Sequence, residues 1–191
     1  MLKINGLKNL LLQYKPFFIF LIKFLLLYIG LTVGYKCYLS QYDAENRETD
    51  GITKAVASQV EKTLLFLNQE ASIKPNPTEA SVNILLHNKS VVRVVEGCNA
   101  VSIMILFAAF IFAFSSRWLK TGLYIVIGIL LIHILNVIRI ALITIALNSY
   151  PEQEHLLHGV IFPLFIYGVV FVLWVLWVQK FSGYAKKTIG K

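Results

Sequence analysis

The stretch GLYIVIGILLIHILNVIRIALITIAL, residues 122–147, contains only two side chains that carry charge near neutral pH, His133 and Arg139. A helix needs about 20 mainly apolar residues to cross a bilayer, so this stretch predicts a membrane-spanning helix. Three other stretches read the same way. They run from roughly Pro16 to Tyr35, interrupted only by Lys23, from Ala100 to Phe114, short but extendable into its flanks, and from Gly159 to Val178. The composition agrees. Ordinary soluble domains carry roughly 45–50% apolar and about 25% charged residues, whereas this chain has 57% hydrophobic and 15% charged. That balance argues against a soluble enzyme, a disordered chain and a nucleic-acid binder, the last despite a formal net charge of +8.

The charges are segregated. All ten acidic residues lie in 43–96 and 152–154, while nine of the eighteen bases sit at the chain ends and in one short loop. Lys and Arg in short segments mark the cytoplasmic side. Lys3, Lys8 and Lys15 put the N-terminus there, as Arg117 and Lys120 do for their loop and Lys180, Lys186, Lys187 and Lys191 do for the tail. The NSYPEQEHLLH loop, 148–158, has neither base and belongs on the other face. Four crossings with both termini cytoplasmic satisfy every short segment. No A-x-A site follows the first apolar run, so it reads as an uncleaved helix rather than a signal peptide.

Residues 36–97 form the outer segment. Ile52, Val56, Val60, Leu64 and Leu67 recur at helical spacing with a charged opposite face. KPNPTE then breaks the pattern, and SVNILLH and SVVRVVEG, joined at HNKS, predict a β-hairpin. The expected architecture is an all-α polytopic membrane protein of about four helices with a small extracytoplasmic α/β cap. It divides into 1–35 (cytoplasmic segment and first helix), 36–97 (amphipathic helix and hairpin) and 98–191 (three helices and basic tail).

Several polar positions ask for a role. An Arg at a helix centre costs about 2.5–3.5 kcal/mol to insert, and Arg139 lies eight residues before Leu147, roughly 12 Å below the outer end of the predicted helix. Snorkelling or a structural bond to carbonyls is the bland account. Asn136, three residues earlier, shares nearly the same face. Cys98 stands just before the second helix, where it serves equally as a nucleophile or a structural thiol. A disulfide with Cys37, at the outer end of the first helix, is open in an oxidising compartment. His155 and His158 close the outer loop, and solvated histidines are common there; His133 is placed to bond another helix. A thiol needs a base or a positive neighbour to become a thiolate. An imidazole can move its proton and a guanidinium can hold an oxyanion. Topology permits Cys98, Arg139 and the histidines to meet. It does not require it.

At these residues the chain resembles the exosortase/archaeosortase family. The resemblance rests on a strand leading to a cysteine before a helix (VVEGCNAVSIMI), N-x-x-R-I in the next apolar helix (Asn136 to Ile140) and H-x-x-x-G entering the last (His155 to Gly159). It covers roughly residues 80–178. Asn99 and Ala100 follow the cysteine where many members carry a small hydroxyl residue and glycine. The helices are also fewer than in many members, as in a short form of the F-type exosortase kind. The resemblance implies a cysteine protease/transpeptidase of the bacterial inner membrane, with its active site on the outer face. It would cleave C-terminal sorting signals of membrane-anchored, surface-directed proteins through a thioester. Cys98 would be the nucleophile, His155 the proton shuttle and Arg139 the holder of developing charge, with Asn136 and His158 in support. The histidine four residues before glycine, just ahead of the predicted last helix, selects His155. No cofactor, metal or nucleic acid is implied. Two rivals remain: a membrane thiol oxidoreductase using Cys37 and Cys98, and a non-enzymatic assembly or export partner of a surface-polymer system.

Overall fold

Pro16 sits in the first turn of α1 (Lys15–Leu39), where its missing N–H leaves no helical bond unmade. In the computed structural model, which describes residues 13–42, 48–115 and 117–181, α1 buries none of its residues. It lies against α3 (Val101–Ala113), with Phe20 packed on Phe110 and Phe114 at ring separations of 5.7 and 4.2 Å. After α3 the chain turns into α4 (Trp118–Ser149), then a 3₁₀ turn (Pro151–Gln153) and a last helical stretch. That stretch comprises α5 (Glu154–Leu156), a π-helical turn (Leu157–Ile161), α6 (Phe162–Leu176) and a second π-helical turn (Trp177–Phe181). His155 therefore lies within the helical stretch rather than ahead of it, because the helix starts at Glu154 instead of Gly159. The basic residues Lys3 and Lys8, and Lys186, Lys187 and Lys191, lie outside the described residues.

Three segments are long and apolar enough to cross a membrane, namely Lys15–Leu39, Trp118–Ser149 and Pro151–Lys180, and α3 is a shorter apolar helix. What they expose identifies their solvent. Large apolar side chains stay exposed from Phe17 to Val33 on α1, Trp118 to Leu142 on α4, and Leu156 to Leu176 on the last stretch. At 1.5 Å per residue these bands are roughly 24, 36 and 30 Å tall, bracketing the ~30 Å hydrocarbon core of a bilayer. Apolar patches of this extent do not face water on a monomeric soluble protein. The chain is a polytopic membrane protein with a small α/β cap.

Inside the bundle, Phe107 and Ile111 of α3 meet Ile132 of α4 and Val170 and Trp177 of the last stretch. Gly128 lets α3 and α4 approach closely, because a Cβ there would collide with the Phe107 ring. Tyr124 donates to the Leu173 carbonyl at 2.8 Å, a bond the membrane makes valuable because no water competes.

The cap begins with Asp50, whose carboxylate accepts from the N–H groups of Ile52 and Thr53 at 2.9 and 3.0 Å. This N-cap starts α2 (Gly51–Phe66). Its buried face is Thr53, Val56, Ala57, Val60 and Leu64. Leu67 ends the helix as C-cap and is exposed, and Ile52 is half-buried, so the face is turned slightly from the one expected. The sheet has three antiparallel strands in order β1 (Ala71–Pro75), β2 (Val82–Leu86) and β3 (Lys89–Val94). The expected hairpin is present. His87 and Asn88, at φ 49° and 63°, make its two-residue turn, whose left-handed backbone matches strand twist. β1 was not expected, since ASIKP is short and ends at a proline; Pro75 is tolerated as the last strand residue.

α4 has 32 residues, about 48 Å, far more than one crossing needs. Its far third, Val137 to Leu147, is covered by α2 and the sheet, whose Val56, Val60, Ile84, Leu86 and Val94 pack on Val137, Ile140 and Ile143. One helix thus serves as both membrane span and core strut of the cap. This changes the depth of Arg139. It sits only three residues inside the cap-side end of the exposed apolar band on α4, about 5 Å, rather than deep within the bilayer.

Candidate functional site

β3 delivers the chain through Val95 to a 3₁₀ turn, Glu96–Cys98, whose closing bond runs from the Cys98 N–H to the Val95 carbonyl at 2.9 Å. Cys98 is half-buried at the floor of a cleft of about 450 Å³. β3 forms one wall through Ser90, Val91 and Arg93, and Leu147 and Glu154 face it. Both cysteines are free thiols, and Cys37 is exposed on α1, so no disulfide joins them.

The backbone around Cys98 is held from four helices. Asn136 of α4, 1% exposed, donates to the Cys98 carbonyl at 2.8 Å. Asn99, 2% exposed, accepts from the Val101 N–H at 3.0 Å, an i→i+2 bond that fixes the chain just ahead of α3, whose N-cap is Ala100. Its amide donates to the hydroxyls of Tyr35 on α1 (2.8 Å) and Thr53 on α2 (3.2 Å). Ala100 follows at φ 62°, in the left-handed region that favours glycine. The two positions that depart from the family pattern are therefore both structural. Asn99 does fixing work, and Ala100 occupies a conformation where glycine is the relaxed choice. Asn99, Tyr35 and Thr53 escaped the sequence reading; an Asn just before a helix, a residue type that bonds the backbone two residues on, is the one local signal that pointed to such a role.

Arg139 is half-buried. Its Nε is buried without a hydrogen-bond partner among the described residues. It also lines a pocket of about 190 Å³ between α4 and the last stretch, with Ile138, Ile161 and Phe165. His155 is exposed and lines an open groove of about 540 Å³ with Pro151, Glu152, Glu154 and Gly159. Glu154 belongs to both this groove and the Cys98 cleft. Among the described residues no hydrogen bond links His155 to Cys98. The side chain of His158 lies outside the described residues. His133 bonds through Nε2 to Gln59 Oε1 of α2 at 2.6 Å, tying the cap to the bundle.

The structure thus ties Asn136 to Cys98, sets Arg139 three residues further along α4, and leaves His155 in a separate groove. A family model described as transmembrane exosortase matches residues 6–178 of the chain. The chain belongs to the transmembrane exosortase family. The match takes in every membrane helix, the whole cap and all five candidate residues. No curated protein and no solved structure matches the chain. Membership makes this exosortase a membrane protein of transpeptidase type, acting on membrane-protein substrates that carry sorting signals.

Proposed function

We propose that this exosortase is a membrane cysteine transpeptidase that uses Cys98 to cleave C-terminal sorting signals from surface-directed proteins. The observation that carries the reading is the direct bond from Asn136 to the Cys98 carbonyl. Arg139, three residues along the same motif of α4, offers a guanidinium that can hold a developing oxyanion.

In the proposed reaction His155 takes the Cys98 thiol proton and the sulfur attacks the scissile carbonyl. Arg139 holds the negative charge of the tetrahedral intermediate. The C–N bond breaks, the leaving amine receives the proton from His155, and a thioester remains on Cys98. An amine or water then attacks the thioester, returning the thiol. For this proton transfer the His155 imidazole must move from the neighbouring groove, which shares Glu154 with the cleft, to within hydrogen-bond reach of the thiol, directly or through one water, when substrate binds. His158, three residues on, is the alternative base.

The same reading sets the cell biology. The lysines at both ends and Arg117 and Lys120 support cytoplasmic termini in a bacterial inner membrane, with the cap and Cys98 on the outer face. Residues 1–35, 36–97 and 98–191 then act as anchor, cap and catalytic helices. The test compares membrane proteins from cells carrying the wild-type chain, Cys98→Ala or Cys37→Ser, each at equal abundance. The expected result is a set of proteins that keep their C-terminal segment only with Cys98→Ala. Retention in neither variant, or equally in both, overturns the proposal.

A further inference from the structure

The sheet treats its two edges differently. β1 has a side-chain partner on its outer edge, where the Ile73 N–H donates to Glu61 Oε1 of α2 at 3.2 Å. β3, the other edge strand, bonds only to β2. Among the described residues no other backbone or side-chain hydrogen bond reaches Lys89–Val94 apart from the Arg93–Glu79 ion pair at 3.1 Å, which leaves the main chain free. An open edge is a template for pairing with another chain, and proteins ordinarily cover or blunt it. Here the open edge coincides with the cleft. The Cys98 cleft of about 450 Å³ shares Ser90, Val91, Leu147 and Glu154 with a smaller cavity of about 80 Å³, and the larger one also takes in Asn76 and, on β2, Asn83. Together they are a groove lined by β3 from Lys89 to Arg93 and including Cys98.

We propose that β3 is a docking strand for substrate. The segment ahead of the scissile bond adds to its free edge in extended form and is led down the groove to the thiol. This rests on the proposed cleavage of sorting signals and names how such a signal is held. Six residues of β3 offer about 20 Å of pairing length. Main-chain bonds to a strand edge provide affinity largely independent of sequence, and alternate side chains provide selectivity. The register supports a specialised edge. Ile84 pairs with Val92 and Leu85 with Ser90, so Val91 is an extra residue in β3. Such bulges re-aim a strand, and this one lies in the groove wall. Direction follows from the anchor. A substrate whose membrane helix comes after its scissile bond descends N-to-C from the hairpin tip toward Cys98, as β3 does, so the added strand is parallel to β3.

The test uses the full chain in membranes with Cys98→Ala and the photo-cross-linker p-benzoylphenylalanine placed singly at position 90, 93, 154 or 74. Position 74, exposed on β1, is the control. Cross-links are read by mass spectrometry on proteins that keep their C-terminal segment in the Cys98→Ala cells. Positions 90 and 93 should both capture the stretch just before the cleavage point. The residue joined to 93 should lie nearer that point by about three residues, one residue of offset per strand position. Reversed order overturns the parallel direction. Capture from 154 but not from 90 or 93, capture equally from 74, or capture only of a second copy of this chain overturns the docking strand. If no protein keeps its C-terminal segment without Cys98, the reading of function fails first and the docking strand falls with it.

Discussion

Replacing Asn136 with Ala removes the side-chain donor that holds the Cys98 carbonyl, and its consequences can be worked from the structure. The side chain is 1% exposed and gives one bond, 2.8 Å long, to the Cys98 carbonyl. No second partner of that carbonyl is found among the described residues. Leaving a buried acceptor unmatched costs about 1–3 kcal/mol, more than the net gain from an ordinary hydrogen bond. The structure has two ways to respond. It can keep the turn at Glu96–Cys98 in place and lose that stability, or let the turn relax and carry Cys98 with it. Asn99 still ties the following residue to Tyr35 and Thr53, so the fold survives either response. The chemistry does not. A misplacement of about 1 Å at a reacting group is enough for a hundredfold loss of rate. Asn136→Ala should therefore insert at near-normal abundance and lose about a hundredfold in turnover, with Arg139 intact. Asn136→Asp keeps the shape but sets a carboxylate against a carbonyl, and should do worse. The assay is cleavage of a sorting-signal substrate at matched membrane levels, together with the rate of maleimide labelling of Cys98 in a Cys37→Ser background. Normal turnover and an unchanged labelling rate in Asn136→Ala would refute the positioning argument.

Three further predictions concern neighbouring groups. Arg139→Lys should insert normally but lose most turnover, because a flexible point charge cannot reproduce the planar fork of a guanidinium; near-normal cleavage by a well-inserted Lys variant counts against oxyanion binding. His155→Ala should abolish turnover while His158→Ala weakens it by less than about tenfold, roughly 1.4 kcal/mol of barrier; the opposite ranking in the cleavage assay transfers the role to His158. Ala100→Gly should change stability by no more than about 1 kcal/mol, since relief at φ 62° offsets the lost buried methyl. Ala100→Val places a branched side chain in the left-handed region, at a cost of more than about 1–2 kcal/mol, and should lower membrane abundance. Equal abundance of the two variants would show that the residue is not strained.

Much of this architecture is legible in residue order because lipid imposes a simple rule. Backbone groups must be satisfied within a helix, so long apolar runs declare themselves. The amphipathic helix after Asp50 and the hairpin around His87 and Asn88 were equally readable, since both carry a strong periodicity or turn signal. Several features were not. β1 has too few residues for a period to show and gains its place from β2 and Glu61. The cover that the cap lays over Val137 to Leu147 of α4 hides because residues buried under a cap and residues facing lipid are equally apolar. That ambiguity is why Arg139 reads as roughly 12 Å below the outer end of the span in the sequence and lies about 5 Å inside the exposed apolar band in the fold. The ties of Asn99 to Tyr35 and Thr53 cross 64 and 46 positions of chain, and no local pattern encodes them. The motifs set Asn136 and Arg139 on one face of α4, but neither the bond from Asn136 to the Cys98 carbonyl, 38 positions away, nor the separation of His155 into its own groove was legible.

The most direct measurement of the central claim is the covalent state of Cys98 during turnover. With the amine acceptor withheld, substrate should accumulate as an acyl group on the peptide containing Cys98 and be released by neutral hydroxylamine, as a thioester is. The account predicts one such adduct, at Cys98, absent from Cys98→Ala and present in Cys37→Ser. Cleavage that continues in Cys98→Ala, or an acyl group found on any other residue, would contradict it.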